Sequence, residues 1–323
     1  MNQEKINFHI ARDFSELFNI ATKFLSQNFK HFFKTIVFIV GPFVLLSAIF
    51  GAFYQAHALS FPKTALEGVS GRMQIYSNML NQFGWQYFAL LFFSFCSGLV
   101  MLTTVYSYMI AYDMHGPKNF GIPEVKALVL KNIAKTIKGF AIFFLIMVVV
   151  LLVVSIVLGI FVMLLKIFAV VIVLLFMLGL LFISPPYLWK FSTFYLPLMT
   201  EDLTVSEAFG KVRRVMEGNF FSTWLLIFST ILVLIILGLV FSAPVIIYQI
   251  ILQVGDITAS DNTTPFIIVT LICSFFSKFV YSVFYIVCGF HYYSLSEAKE
   301  GAALLNRIDE IGNTPSNDVD QHY

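Results

Sequence analysis

The sequence predicts an all-α integral membrane protein with about six transmembrane helices. Hydrophobic residues make up 59% of the chain and charged residues 12%, whereas an average soluble domain has about 25% charged residues. Apolar runs of about 20 residues recur along the chain, which is the length that crosses a hydrocarbon core of roughly 30 Å. The alternation of polar and apolar residues that a membrane barrel strand requires does not occur in these runs, so they are predicted to be helices.

The predicted spans follow from these apolar runs. They lie near residues 33–55, 85–112, 139–162, 167–186, 221–252 and 266–292. The third and fourth spans belong to one apolar stretch that only Lys166 interrupts, so a tight turn is expected around residues 164–166. Pro185 and Pro186 are expected to bend or end the fourth span. The aromatic residues that follow, with Lys190, are interpreted as an interfacial belt.

Orientation is predicted from the positions of Lys and Arg. Most of the 20 such residues fall on one side of the predicted spans, which the positive-inside rule assigns to the cytoplasm. The exceptions are Lys63, Arg72 and Lys166 on the opposite side and Lys278 within a span. Both termini are therefore expected to be cytoplasmic, in agreement with an even number of spans.

A basic amphipathic segment before the fifth span repeats one before the first span, at a shift of 191 positions. The matched pairs are Ser15 and Ser206, Glu16 and Glu207, Phe18 and Phe209, Lys23 and Arg214, Asn28 and Asn219, and Phe29 and Phe220. Each copy, at 12–31 and 203–220, is predicted to be a helix on the membrane surface that leads into a hairpin. An ordinary packed helix is the alternative for the first copy.

Residues 122–138 are interpreted as a third copy of this segment. The match is weaker, because Asn132 follows Glu124 by eight residues, whereas in the other two copies the asparagine follows the glutamate by twelve. The sequence thus predicts a single membrane domain of three units, each a surface helix followed by a hairpin. The units span about 12–114, 122–200 and 203–292, with an amphipathic helix at 294–312 and a disordered tail at 314–323. The candidate contacts to lipid headgroups are Lys23, Lys30, Lys131, Lys135, Arg213 and Arg214.

The sixth predicted span contains a polar stripe around Lys278. Ser274, Lys278, Tyr281 and Tyr285 recur at helical spacing, and a charge near mid-membrane costs at least about 2.5 kcal/mol. The stripe is therefore a candidate intramembrane polar site. Three alternatives for Lys278 stay open: a neutral amine, an ammonium bonded to Ser and Tyr groups, or a side chain that extends to the interface.

The second predicted span carries small polar residues on one helical face, at Ser94, Ser97, Thr104 and Ser107. Such residues commonly allow close packing of transmembrane helices, and packing is favoured here over a transport pathway. No catalytic, cofactor-binding or metal-binding constellation is predicted. The GxSG string at residues 68–71 is interpreted as a chance match, because it lies in a polar loop. The three cysteines are interpreted as small buried hydrophobic residues.

The repeated SE-x-F…NF element, preceded by Pro197 and the acidic pair at residues 201–202, resembles bacterial polytopic membrane proteins. These proteins are similar to the membrane domain of some glycerophosphodiester phosphodiesterases. The resemblance implies a multi-pass protein of the bacterial cytoplasmic membrane, with other integral membrane proteins as partners. It transfers no catalytic role, because the His-Arg pair and the soluble domain of the phosphodiesterases have no counterpart in this sequence.

The sequence therefore favours a non-enzymatic inner-membrane protein that serves as a scaffold or subunit of a membrane complex. Its expected partners are membrane lipids and other integral membrane proteins, without nucleic acid and without a cofactor; a homo-oligomer is compatible with the sequence. The alternative is a transporter or channel for a small solute or lipid with a polar path near Lys278.

Overall fold

The computed structural model of the protein describes residues 4–59, 85–164, 169–201, 203–254 and 263–312. Within these ranges the chain forms nine α-helices and no strand. The helices are α1 (Phe14–Ile39), α2 (Gly41–Leu59), α3 (Trp85–His115), α4 (Ile122–Leu164), α5 (Ala169–Thr193), α6 (Tyr195–Thr200), α7 (Val205–Met216), α8 (Phe220–Val254) and α9 (Thr263–Gly312). The predicted all-α class is confirmed.

Five of these helices are long and apolar enough to cross a membrane, and the number is six when α1 and α2 are counted as one bent span. The chain is thus a polytopic membrane protein. The candidate spans are Trp85–His115, Ile122–Phe161, Val173–Thr200, Phe220–Ile251 and Thr264–Gly301, together with the bent pair. Three predictions fall on residues outside the described ranges. They concern the GxSG string at 68–71, the tail at 314–323 and most of the turn at 164–166.

The first boundary differs from the prediction. The surface helix was expected to end at residue 31, but α1 continues to Ile39, and a bend of 65° separates it from α2. The bend coincides with Pro42, which has no N–H to donate to the Phe38 carbonyl and whose ring would collide with that carbonyl in a continuous helix. The break therefore follows the proline and not the change from polar to apolar sequence.

Two other predicted helix boundaries are absent, because in each case a single continuous helix covers both of the predicted segments. The 43-residue α4 joins the predicted surface helix at 122–138 to the third span. The 50-residue α9 joins the sixth span to the predicted amphipathic helix at 294–312. At 1.5 Å per residue α4 is about 65 Å long, roughly twice the hydrocarbon core. A change of side-chain polarity does not interrupt backbone hydrogen bonds, so a helix without a proline or a left-handed glycine continues.

The prediction that the fourth span closes at Pro185 and Pro186 is also wrong, because α5 continues through both prolines to Thr193. Prolines are tolerated inside transmembrane helices where neighbouring helices stabilise the altered turn. Here the next turn is anchored by Trp189, whose indole N–H donates to the Cys288 carbonyl at 3.3 Å.

The predicted aromatic belt after the prolines is divided by the fold. Trp189, Phe194 and Tyr195 are buried between helices and belong to the core, so the belt interpretation is wrong for them. Tyr187 stays exposed, and the Lys190 ammonium lies 4.8 Å from the centre of its ring. Trp189 is buried against α9, and Phe194 packs on Phe143 of α4 and Phe209 of α7. The local sequence does not reveal these contacts.

The core lies at one end of the bundle, which we call the packed end and define by Phe8, Tyr112, Trp189, Phe290 and His291. Phe8, in the segment before α1, stacks on Tyr112 at 5.5 Å between ring centres and meets Phe290 edge-on at 4.9 Å. The His291 Nε2 atom lies 2.9 Å from the hydroxyl of Thr223. These contacts join the N-terminal segment, α3, α8 and α9.

The hairpin of α4 and α5 has a different environment away from the packed end. In the most apolar 18-residue window of α4, no residue is buried by the rest of the chain. A helix that is apolar on all sides and uncovered by its own protein requires lipid or another membrane helix around it.

Candidate functional site

The starts of α1, α4 and α7 share one hydrogen-bonded arrangement at the packed end. In each, a glutamate carboxylate accepts a hydrogen bond from the backbone N–H three residues earlier. The three bonds join Asp13 N to Glu16 at 3.2 Å, Gly121 N to Glu124 at 2.9 Å and Thr204 N to Glu207 at 2.8 Å. Such carboxylates satisfy a free donor and favour the positive end of the helix dipole.

The start of α7 has the most complete cap. The Glu207 N–H donates to the Thr204 hydroxyl at 3.4 Å, and that hydroxyl donates to the Glu207 carboxylate at 2.8 Å. The backbone N–H and the hydroxyl of Thr204 both stabilise the charged carboxylate and so lower the pKa of Glu207.

The three helices also bury the same positions, counted from the glutamate. The residues one, five and eight positions later are buried in every case: Leu17, Ala21 and Phe24 in α1; Val125, Val129 and Asn132 in α4; and Ala208, Val212 and Val215 in α7. By its structural position Asn132 therefore corresponds to Phe24. It does not correspond to Asn28, the residue with which the sequence comparison had paired it.

The apolar faces of α1 and α7 thus pack against the protein. For these faces the packed-helix alternative describes the contacts, and the expectation that they enter the headgroup layer is wrong for the buried positions. The candidate basic contacts lie outside the core. Five are exposed and Lys135 is half-buried: Lys23 and Lys30 on α1, Lys131 and Lys135 on α4, and Arg213 and Arg214 on α7. Their contact with headgroups stays a prediction.

The Lys278 stripe is the second candidate site, and the structure brings most of it together. Lys278, Tyr281 and Tyr285 line one cavity of about 200 Å³ with Ser94 and Ser97 of α3. The remaining lining residues are Val44, Gly98 and Met101. Two stripes predicted separately on different spans therefore meet at one place, between α3 and α9.

The hydroxyl groups of α3 at this cavity already have hydrogen-bond partners, one on α2 and one within α3 itself. Ser94 and Ser47 share a hydrogen bond at 3.2 Å, and the Ser97 hydroxyl donates to the Ser94 carbonyl at 2.8 Å. These bonds agree with the packing interpretation of this face. Thr104 and Ser107 are buried further along α3 and do not line the cavity.

Ser274 belongs to a neighbouring cavity of about 220 Å³. It is lined by Gln55, Ser242 and Gln249 together with Cys273 and Ser277 of α9 and two apolar residues of α8. The four-residue stripe of the sequence is therefore divided, with Ser274 one turn away from the Lys278 cavity.

A third concavity was not predicted from the sequence. A groove of about 690 Å³ lies between α7 and α9 at the packed end. Lys211 forms an ion pair with Glu201 at 2.6 Å on its wall, and the Lys299 ammonium donates to the Arg214 carbonyl at 2.9 Å. Only the packing of α7 on the continuation of α9 creates this groove, so no local sequence signal could have revealed it.

Arg12 and Ser294 were likewise not singled out, although they hold the N-terminal segment in place. The Arg12 backbone N–H donates to the Ser294 hydroxyl at 2.8 Å, and this hydroxyl is 3.2 Å from the Arg12 carbonyl. The Arg12 guanidinium donates to the carbonyls of Phe8 and Ile10 at 3.3 Å. The pairing joins residues 282 positions apart, which a pattern within one segment cannot indicate.

Comparisons with known protein families, with curated proteins and with solved structures found no match. The geometry of the chain itself therefore carries the functional argument. In the described part of the chain, no three His, Cys, Asp or Glu side chains are grouped closely enough to hold a metal ion.

Proposed function

We propose that this protein is a non-enzymatic subunit or scaffold of a membrane complex. The observation that carries the proposal is the uncovered α4–α5 hairpin, in which the most apolar window of α4 has no buried residue. The chain keeps a tight core at the packed end while this hairpin extends from it, and such a hairpin offers an apolar surface to helices of a partner.

The partner surface that we propose includes Ser155 and Gly159 of α4. These small residues are four positions apart, so they lie on one helical face, where small residues let two transmembrane backbones approach closely. A Cβ atom built on Gly159 meets no atom within 4 Å in the described part of the chain, its own helical turn aside. The space beside this position is therefore open to another helix.

The packed end is proposed to face the cytoplasm of a bacterial cell, with both termini on that side. The support is the prevalence of Lys and Arg in segments of this end. The exposed cations of α1, α4 and α7 would then meet anionic headgroups, each adding about 1 kcal/mol of attraction. The likeness to bacterial membrane proteins inferred from the SE-x-F element belongs to the same proposal.

We also propose that the domain consists of three related units, at about 12–114, 122–200 and 203–292. The shared glutamate bonds at Glu16, Glu124 and Glu207 support it. So do the three sets of buried positions that follow these residues at equal spacing.

Co-purification tests the subunit proposal. The protein is extracted from its own membranes in mild detergent, and associated proteins are quantified by mass spectrometry. We expect a stoichiometric membrane partner or a second copy of the chain, and we expect Gly159→Leu to reduce its recovery at least about fivefold, because a bulky side chain separates packed helices.

Gly238→Leu on α8 is the matched control, because a Cβ at Gly238 also meets nothing within 4 Å. It should retain the partner at the wild-type level. Recovery of a monomer alone, or equal recovery with both variants, would argue against the hairpin as the partner surface.

A transporter or channel for a small solute or lipid is the second candidate function. Two neighbouring cavities along α9 favour it, one containing Lys278 and the other Ser274. If it holds, reconstituted protein should move fluorescent phosphatidylglycerol between leaflets faster than protein-free vesicles do, and Lys278→Met should slow the exchange. Exchange at the protein-free rate would exclude this lipid as the transported species.

A further inference from the structure

We infer that the Lys278 cavity binds the anionic head of an amphiphile, an oxyanion attached to a hydrocarbon chain. The chemistry is that of a phosphate monoester lipid or a fatty acid. This inference concerns a small-molecule site and goes beyond the proposed role as a subunit.

The first step is the excess of donors at the cavity. Lys278, Tyr281 and Tyr285 have no hydrogen bond or ion pair from their side chains in the described part of the chain. An ammonium has three N–H donors and no acceptor, whereas each phenol can both donate and accept, so the ammonium accounts for the excess. No carboxylate is among the described residues that line the cavity. A ligand that satisfies these groups must therefore supply acceptors and negative charge.

The second step is the position of the cavity in an apolar span. Lys278 lies within the candidate span Thr264–Gly301. A cation in such a segment is stabilised by a counter-charge or by a path to the interface. Since the described residues supply no counter-charge at this cavity, an anion from the membrane can provide it and remove the cost of the uncompensated ammonium.

The third step is size. The cavity of about 200 Å³ is smaller than the 300–1,000 Å³ of sites that enclose whole drug-sized ligands. It accommodates a carboxylate or a phosphate, while an attached chain must lie outside. The surroundings suit that arrangement, because Tyr281 at the cavity is 56% exposed and Leu91, one turn before Ser94 on the same face of α3, is 48% exposed. The ligand's chain would lie along this apolar surface.

Native mass spectrometry of the full-length protein in detergent tests the inference. Dioleoyl phosphatidic acid, oleate, dioleoyl phosphatidylcholine and inorganic phosphate are titrated separately. We expect phosphatidic acid or oleate to bind, and their relative affinity identifies the oxyanion. We expect phosphatidylcholine, whose phosphate carries only one negative charge beside a quaternary ammonium, to bind at least about tenfold more weakly.

The variants assign binding to the cavity. Lys278→Met should weaken binding of the preferred lipid at least about tenfold, as expected for the loss of one charge-assisted hydrogen bond. Lys278→Arg should retain most of the affinity, and Tyr285→Phe should weaken it less than Lys278→Met does. Lys118→Met, which removes an exposed cation between α3 and α4, is the matched control and should bind like the wild type.

Three results would overturn the inference: equal affinity in wild type and Lys278→Met, an equal effect of Lys118→Met, or equal binding of phosphatidylcholine and both anionic lipids. Inorganic phosphate bound as tightly as phosphatidic acid would contradict the amphiphile. If Lys278→Met does not elute as a folded protein, the other two variants test the inference. Retained affinity in Lys278→Arg with reduced affinity in Tyr285→Phe supports it, and unchanged affinity in Tyr285→Phe contradicts it. Co-purification of a partner is measured separately, so failure of one proposal does not affect the other.

Discussion

The helices α1 and α7 begin alike and end differently. Both start with a glutamate that bonds to the backbone three residues earlier, and both bury the same three following positions. However, α7 ends at Met216, whereas α1 continues to Ile39. At the point of divergence α7 is followed by Gly218 with φ of +87°, and α1 has Gln27 at the matching position. A glycine in the left-handed conformation ends a helix, while glutamine continues it.

The same kind of helix start is thus followed by two different structures. The helix α1 continues into the apolar sequence as far as the bend at Pro42, whereas α7 is a separate short helix beside the α7–α9 groove. Gln27 also receives a hydrogen bond from the Tyr112 hydroxyl at 3.1 Å, which stabilises the continued turn. The common part packs into the core of the packed end, and the different ends determine whether the helix continues into the apolar sequence.

The largest effect is expected from the shared buried positions. Phe24→Ala should lower the free energy of unfolding by about 3–5 kcal/mol, because it removes a fully buried ring. Phe24 contacts Tyr112 and Phe290 at ring distances of 5.1 and 5.5 Å. The corresponding Val215→Ala should cost clearly less, because it removes fewer buried atoms.

Unfolding by sodium dodecyl sulfate, followed by tryptophan fluorescence, measures both variants. An equal loss of stability in the two variants would contradict this prediction, because the buried ring of Phe24 would then contribute no more to stability than the side chain of Val215.

The second prediction concerns the end of α7. Gly218→Ala should destabilise the protein by about 1–2 kcal/mol, since a Cβ is disfavoured in the left-handed conformation. Gly210→Ala is the control within the same helix, where a Cβ meets nothing within 4 Å. It should stabilise by up to about 1 kcal/mol through helix propensity. Both are measured by the same denaturation, and effects of the same sign would contradict the assigned helix end.

The third prediction concerns the start of α7. Thr204→Ala should lower the free energy of unfolding by about 1 kcal/mol, because it removes the hydroxyl that accepts the Glu207 N–H. Thr204→Ser keeps that oxygen and should preserve most of the stability. Thermal unfolding in detergent distinguishes the two variants, and an identical loss would attribute the effect to the threonine methyl group and not to the cap.

The smallest effect is expected from pH. The folded-state pKa of Glu207 is lowered by its bonds to Thr204. Its contribution to stability is therefore fully present above the unfolded pKa, about 4.3, and is lost as the pH falls through the lower folded pKa. The difference in unfolding midpoint between wild type and Glu207→Gln should be constant near neutral pH and should shrink in acid. A difference that grows as the pH falls would have the wrong sign.

The sequence was sufficient where a signal is local. Glu16 and Glu207 marked two helix starts, and the spacing of Lys278, Tyr281 and Tyr285 placed them on one face, where they share a cavity. The end of α1 also has a local signal in Pro42, where the helix bends, whereas the change of polarity near residue 31 does not end it.

Other features depended on contacts between distant segments. Trp189 follows two prolines in an aromatic run that suggests an interface, and only its bond to the Cys288 carbonyl shows that it is buried. The convergence of Ser94 and Ser97 on the Lys278 cavity depends on the register between α3 and α9. Periodicity within a single helix does not determine that register.

Photo-crosslinking in native membranes tests whether another protein covers the α4–α5 hairpin. A benzoylphenylalanine is placed at Val149 on α4, which is 53% exposed, and in a separate variant at Val240 on α8, which is 63% exposed. We expect a discrete protein adduct from Val149 whose mass identifies a partner or a second copy, and only lipid adducts from Val240. Lipid adducts alone from Val149, at equal expression, would show that no protein covers the hairpin.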